Sequence, residues 1–305
     1  MIYTLTLNPS IDMNVASDRI STAISTRTRD MVLTPNGKGV NVSFVLRHLG
    51  KPVGALGFFG GFTGKYIVEQ CENAGIKTIP VWIEGDTRVN VFLRCDEREY
   101  RFINEGASIN ADDEQALLSK LEALTDMDAL TVNGSPAKNM SSDYYDKIIN
   151  TAMKKGAKII LDISSPKLKE LLKYRPLLIK PNDEELESIF GFKVTDVESI
   201  KFAVKEIRRM GAQNVLITLG EKGTYFYNGK DLFYCGIQPI KVRSTLCAGD
   251  GFLASFLSLW LENEENAEEA LKLASATGAN VAESDGLGDL KKIEQYKNNI
   301  LVKKL

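Results

Sequence analysis

The chain has 305 residues, 44% hydrophobic and 26% charged, with a formal net charge of −2. That profile suits a globular protein with room for one large domain or two ordinary ones, and it offers no basic surplus for nucleic acid or an anionic membrane. No apolar run reaches bilayer-spanning length and residues 2–7 read directly as strand, so neither a membrane span nor a signal peptide is expected, and a cytoplasmic setting is.

Cys71, Cys95, Cys235 and Cys247 are scattered without a CxxC pair, which reads as reduced thiols rather than disulfides or zinc. His48 is the sole histidine, on the polar side of a predicted helix. A histidine base or a histidine-rich metal site therefore has one poor candidate.

Residues 2–7 end at Asn8-Pro9, a strand followed by a turn signal. Residues 10–15 and 26–33 alternate polar and apolar, as a half-exposed sheet does. Pro35-Asn36-Gly37-Lys38-Gly39-Val40-Asn41 then opens a helix whose Val42, Val45, Leu46 and Leu49 share one face and which Gly50 closes. Its glycines permit close backbone approach to a ligand, and Lys38 and Asn41 can face that ligand from the first turn. Read alone, the same stretch is equally a glycine-bounded turn.

Strand 53–59 and a helix from about 63 to 71 follow. Residues 88–95 and 99–104, separated by Asp96-Glu97-Arg98, form a predicted hairpin that pairs with the early alternating runs. From residue 110 the pattern changes. Helices 111–124, 142–154, 166–173, 182–190 and 196–210 alternate with strands 128–132, 157–162, 176–180 and 213–218, which predicts a mostly parallel sheet covered on both faces. Two short strands near 223–235 precede the helix that begins at Ala248-Gly249-Asp250, and helices near 266–283 and 289–301 finish the chain. The architecture expected is one α/β domain over residues 1–305, with a small β lid formed by about 10–34 and 86–106. The active site is expected at the carboxyl ends of the strands, between domain and lid.

Polar groups cluster at predicted strand ends: Asn133-Gly134-Ser135, Asp162 with Ser164, Lys180-Pro181-Asn182, and Thr218-Leu219-Gly220 leading to Gly223. Asn182 and Glu185 have the spacing of a helix cap. Asp250 carries the chemistry. Phe252, Leu253, Phe256, Leu257 and Trp260 recur at helical spacing behind it, so Ala248-Gly249 is a helix N-terminus where unpaired N–H groups favour negative charge. A carboxylate there is expected to be held ionised, as a base beside an anion pocket. Transfer of a phosphoryl group to a hydroxyl needs that pair. No Walker-type loop and no protein-kinase signature set is present.

The motifs PNGKGVN, IKPNDEE, ITLGEKG and CAGDG, in that order and at that spacing, resemble the ribokinase-like (PfkB) sugar kinases across the whole chain, from TLNPSID to ESDGLGDL. Within them the chain resembles the bacterial branch containing 1-phosphofructokinase and tagatose-6-phosphate kinase. Thr87-Arg88-Val89-Asn90-Val91 and Ile103-Asn104 look most like the 1-phosphofructokinase version.

The resemblance implies a three-layer α/β/α fold with a mostly parallel central sheet and a small β-sheet lid, ATP with Mg²⁺, and a ketohexose phosphate as substrate. Fructose 1-phosphate is the first expectation and tagatose 6-phosphate the alternative. By resemblance Asp12, Gly37, Lys38, Gly39, Asn41 and Asn104 line the sugar site, and Arg27, Lys38 and Arg88 hold the phosphate already on the sugar. Lys180, Asn182, Thr218, Gly220, Gly223, Gly249 and, more weakly, Asn280 fall on the nucleotide side. Asn182 and Glu185 relate to magnesium, indirectly or through water. Cys247, Ala248 and Gly249 form the anion hole, with Asp250 as base.

Three positions leave the pattern: Asn36 stands for the first of two glycines, Ser244 for Asp or Asn, and Cys247 for the first glycine of GAGD. A thiol at a helix N-terminus is expected to have a lowered pKa, but the favoured reading of Cys247 is a small buried residue with no chemical role. A sugar-phosphate sensor without turnover is the rival reading, and its mark would be loss of Asp250. A nucleoside or vitamin kinase would leave Arg27, Lys38 and Arg88 without an anion. Open lid edges are compatible with a homodimer through the lid.

Overall fold

The structure, a computed structural model, describes every residue except Ala23 and Glu97. The chain opens with β1 (Ile2–Thr6), leaves the main sheet for β2 (Ser10–Ser17) and β3 (Arg29–Asn36), and returns through α1 (Lys38–His48), β4 (Val53–Gly60), α2 (Gly61–Asn73) and β5 (Lys77–Ile83). A second excursion gives β6 (Arg88–Cys95) and β7 (Arg98–Phe102). Then come α3 (Ala111–Ala123), β8 (Ala129–Gly134), α4 (Tyr144–Lys154), β9 (Lys158–Ile163), α5 (Lys167–Leu171), β10 (Leu178–Ile179), α6 (Asp183–Glu185), α7 (Val197–Met210) and β11 (Asn214–Thr218). The antiparallel strands β12 (Thr224–Tyr227) and β13 (Leu232–Cys235) lead to α8 (Ala248–Trp260), α9 (Ala267–Ala282), α10 (Ile293–Lys297) and β14 (Val302–Lys304).

Among the described residues the main sheet has ten strands, in the order β14-β13-β12-β11-β10-β9-β8-β1-β4-β5. Pairing is parallel from β11 through β5 and antiparallel from β11 to β14. Chain order reverses at β1, which has β4 on one side and β8 on the other, and that is where a crevice opens at the strand ends. One face of the sheet is covered by α1, α2, α8 and α9 through residues such as Val42, Leu46, Leu253, Phe256 and Trp260. The other is covered by α3, α4 and α7 through Leu117, Leu121, Tyr144, Ile148, Ile200 and Ile207. Three layers result, as expected. Burial on both faces explains why β4 is apolar or glycine throughout rather than alternating.

β2 and β6 pair in parallel, with β3 and β7 as their antiparallel partners, and make the small lid sheet. Its outer strands expose Met31, Val32 and Phe102.

Four predicted elements differ. β5 is absent from the sequence reading because Pro80 interrupts its run, and an edge strand paired only to β4 tolerates it. The predicted helix over 182–190 is α6 followed by a π-turn at Leu186–Phe190. The helix over 166–173 is α5 with a 3₁₀ turn at Leu172–Tyr174. The helix over 289–301 shortens to α10, and the chain then enters β14, where a single short segment finds the free edge of β13.

Candidate active site

Close packing of α1 on β1 sets the first half of the site. Thr4 Oγ1 lies 2.6 Å from Ser43 Oγ, and a Cβ on Gly39 would fall 2.4 Å from Thr6 Oγ1. Only glycine lets the first turn of α1 come so near the end of β1. Gly37, at φ 127°, makes the sharp entry before it. Lys38 and Asn41 are thereby delivered to the crevice from one helical turn.

Lys38 Nζ donates to Asp162 Oδ1 at 3.0 Å and to Ser164 Oγ at 2.9 Å, with Glu185 Oε1 at 3.8 Å. Lys180 Nζ reaches the same Asp162 oxygen at 3.3 Å from the end of β10. Asp162 is fully buried at the end of β9, and its Oδ2 has no hydrogen-bond partner among the described residues. Burial alone would raise that carboxyl, but the ammonium groups of Lys180 and Lys38 outweigh it and hold the pKa low. The same carboxylates hold Lys38 above its ordinary value against the cost of its own burial.

α8 supplies the second half. Ser255 on α8 and Thr277 on α9 meet through hydroxyls 2.7 Å apart, and a Cβ on Gly251 would fall 3.0 Å from Val281 Cγ2, so small residues seat the helix tightly. Asp250 in its first turn accepts from Asn41 Nδ2 at 2.8 Å. The expectation that this carboxyl is held in its charged form is corrected. Burial pushes it up to about 6 and Asp162 adds to the rise, against Lys38, Asn41 and Lys180 acting downward. The helix terminus does not overcome desolvation. Not every amide of the turn is free: Asp250 N donates to Cys247 O at 3.1 Å and Ala248 N to Thr245 O at 3.4 Å, leaving those of Cys247 and Gly249 without an acceptor among the described residues. A Cβ on Gly249 would meet only Lys180 Nζ, at 3.5 Å, so this face is open toward the crevice.

Cys247 takes φ 64°, the left-handed region, which costs a non-glycine residue about 1–2 kcal/mol. Its thiol is not activated. Burial, then the neighbouring Asp250 carboxylate, push its pKa well up, and Asn36 and Asn41 donate to Sγ at 3.4 and 3.2 Å. Two departures from the sugar-kinase pattern, Asn36 and Cys247, are thus in direct contact. Ser244 braces the preceding loop: its N–H donates to Ala282 O, and its Oγ accepts from Leu246 N.

Asp12 on β2 is buried and accepts from Asn90 (2.9 Å), Ser10 (3.1 Å) and Asn36 (2.5 Å). Burial raises its pKa against the hydrogen bonds from Asn90 and Ser10 and the charge of Arg88. Arg88 clamps the chain, donating to Asn8 O at 3.0 Å and Asn104 O at 2.9 Å, and its Nε is buried without a partner. Asn104 donates through its side chain to Val89 O and through its N–H to Asn90 Oδ1. Arg27 is not drawn in: it lies outside β3, exposed, and no contact ties its side chain to this cluster.

Among the residues expected on the nucleotide side, Asn182 and Glu185 form a reciprocal cap (2.7 and 3.1 Å), Glu185 also accepts from Ser164 at 2.7 Å, and Asn182 bridges to Thr218. Gly220 and Gly223 have φ of 56° and 89°, and a Cβ on Gly223 would fall 2.5 Å from Cys235 O, so that glycine is demanded by the turn itself. Asn280 is buried. Its Oδ1 accepts from Lys292 N at 3.0 Å and its Nδ2 donates to Glu283 at 3.4 Å, which braces the end of α9.

Asp162 and Asn90 are site members that motif reading undervalued. The signal for Asp162 is one acid at the carboxyl end of an apolar strand run. His48 is exposed, as expected. No three acidic, histidine or cysteine side chains among the described residues are arranged to cage a metal. The oxygen donors present, Glu185 and the unpartnered Asp162 Oδ2, fit a hard cation held mostly by phosphates and water.

Asp250, the Lys38–Asp162–Lys180 cluster and the N-terminus of α8 meet at the sheet's switch point, and from residue 5 to residue 293 the chain matches the pfkB family carbohydrate kinases. The chain belongs to the pfkB family. Among pfkB proteins it is similar to the D-tagatose-1-phosphate kinase of Klebsiella oxytoca, 43% identical across the whole of both chains. It is also similar to the 1-phosphofructokinase of Bacillus subtilis, 32% identical across the whole of both. The phosphofructokinase-2 of Escherichia coli superposes with a TM-score of 0.88 at 27% identity, covering 97% of this chain and 99% of that one. The fold class and carbohydrate-kinase activity expected from the sequence are borne out. No helix among the described residues is long and apolar enough to cross a membrane.

Proposed function

We propose that the chain transfers the γ-phosphoryl group of ATP to the free primary hydroxyl of a ketohexose 1-phosphate, with D-tagatose 1-phosphate the preferred substrate and D-fructose 1-phosphate the second. The observation that carries the chemistry is Asp250, buried, oriented by Asn41 and facing Lys38, Lys180 and the open Gly249 turn. Full-length likeness to a tagatose-1-phosphate kinase, above that to 1-phosphofructokinases, supports the choice of sugar.

The sugar lies on Asp12, Asn41 and Asn104 under the lid, with Arg88 turned to its phosphate. Its hydroxyl oxygen attacks the γ-phosphorus in line, the bond to the β–γ bridging oxygen breaks, and the hydroxyl proton passes to Asp250. Lys38, Lys180 and the Gly249 N–H stabilise charge on the transferring group. Glu185 and Asn182 would hold magnesium, which when bound would supply positive charge to offset that of the nucleotide. Asp162 keeps both lysines aimed.

ADP release measured with the 1- and 6-phosphates of D-tagatose and D-fructose tests this. The greatest kcat/KM is expected with D-tagatose 1-phosphate. Preference for a 6-phosphate would overturn the substrate, and binding of a sugar phosphate with no turnover would favour a sensor.

A further inference from the structure

We infer that Asn36 is a positioning residue which, through Asn41, fixes the catalytic base Asp250 as a proton acceptor and links it to the sugar-binding Asp12. The inference rests on the kinase reading above and goes beyond it by assigning work to a residue outside the base's own contacts.

A carboxamide can turn either end to its neighbours, so its direction must come from something that cannot turn. Here it comes from the backbone. Gly37 N–H donates to Asn36 Oδ1 at 2.5 Å, which commits that oxygen and leaves Asn36 Nδ2 for Asp12 Oδ2, also at 2.5 Å. Asn36 Oδ1 then accepts a second bond, from Asn41 Nδ2 at 3.0 Å. Asn41 is thereby committed as a donor, and the same nitrogen reaches Asp250 Oδ2 at 2.8 Å. Asp12, Asn36, Asn41 and Cys247 are all buried, so water offers no substitute partner.

The consequence concerns the protonated form of Asp250. A carboxyl protonated on Oδ2, the oxygen that Asn41 reaches, is best served by an acceptor, which Asn41 would offer by turning its carbonyl inward. That turn would bring Asn41 Oδ1 against Asn36 Oδ1, two acceptors with no hydrogen between them. Asn36 therefore disfavours the protonated base and favours the ionised one, opposing the burial that pushes the group the other way. Cys247 Sγ lies within reach of both amide nitrogens and supports the same direction. The charged and titratable neighbours that face Asp250 are Lys38 from α1, Asp162 from β9, Lys180 after β10 and Cys247 before α8, and Asp12 lies at the far end of the relay.

The test is a double-mutant cycle in the full-length protein with Asn36→Ala, Asn41→Ala and the pair, reading the acid limb of kcat/KM and the ¹³C carboxyl titration of Asp250. Each single variant is expected to move the limb up by roughly half a unit to one unit, as losing an orienting donor to a carboxylate does. The pair should move it no further than Asn41→Ala alone, because Asn36 acts only through Asn41. Additive shifts, or an unmoved limb in Asn36→Ala with only kcat or melting temperature lowered, would overturn the relay. Should the alanine variant fail to fold, Asn36→Ser carries the same comparison. The carboxyl titration needs no turnover, so it judges the relay even if the kinase reading fails.

Discussion

Ionising Asp250 at neutral pH places a negative charge in the wall of the protein, and the consequences run in two directions. Its folded pKa of about 6 lies above the unfolded 3.8, so the folded state holds this proton more tightly. The group's favourable contribution is present below the unfolded pKa and is lost as pH rises through 6; at pH 7 and above the buried carboxylate costs about 3 kcal/mol. Asp250→Asn should therefore lower kcat by about 10²–10⁴-fold and raise the melting temperature at pH 8, with the gain shrinking toward pH 4. A variant that melts lower at pH 8 would show that the burial cost is misplaced. Activity should fall as the pH is lowered through about 6, as the base protonates. At Cys247 the expectation of a lowered thiol pKa is reversed: buried beside two carboxylates, the thiol should alkylate much more slowly at pH 8 than an exposed cysteine. Peptide mapping after iodoacetamide treatment decides it, and fast labelling would mean that the turn opens.

The lid is tied to the rest of the molecule at a place no motif reveals. Asp285, just after α9, accepts from Arg94 on β6 at 2.9 Å and from Arg243, in the loop before Cys247, at 2.8 Å. Gly286 beside it takes φ 60°, where a Cβ would fall 3.6 Å from Thr34 Cγ2 on β3. All three charged side chains are partly exposed, so the cluster adds at most about 1 kcal/mol to global stability. Its effect should be local. In Asp285→Ala, hydrogen exchange in β2 and β6 should quicken while β1 and β4 stay protected, and unchanged exchange in the lid would refute the tie. Elements with a strong period, such as α7 and α9, were legible in the sequence. β5 and β14 were not, since a short edge strand is specified by its partner and not by its own pattern.

Across the whole molecule, alternation of helix and strand was sufficient for the three layers. Which groups touch was beyond it. That Asn36 meets Cys247, or that one oxygen of Asp162 gathers two lysines, depends on residues brought together from opposite ends of the chain. That separation has a bearing on biosynthesis. Asn41 and Asp250 are 209 positions apart, and β1, third from the β5 edge of the sheet, is made long before its partner β8. The residues proposed to face the sugar leave the ribosome first and the proposed base among the last. A nascent chain halted before α8 therefore lacks the group proposed to take the hydroxyl proton.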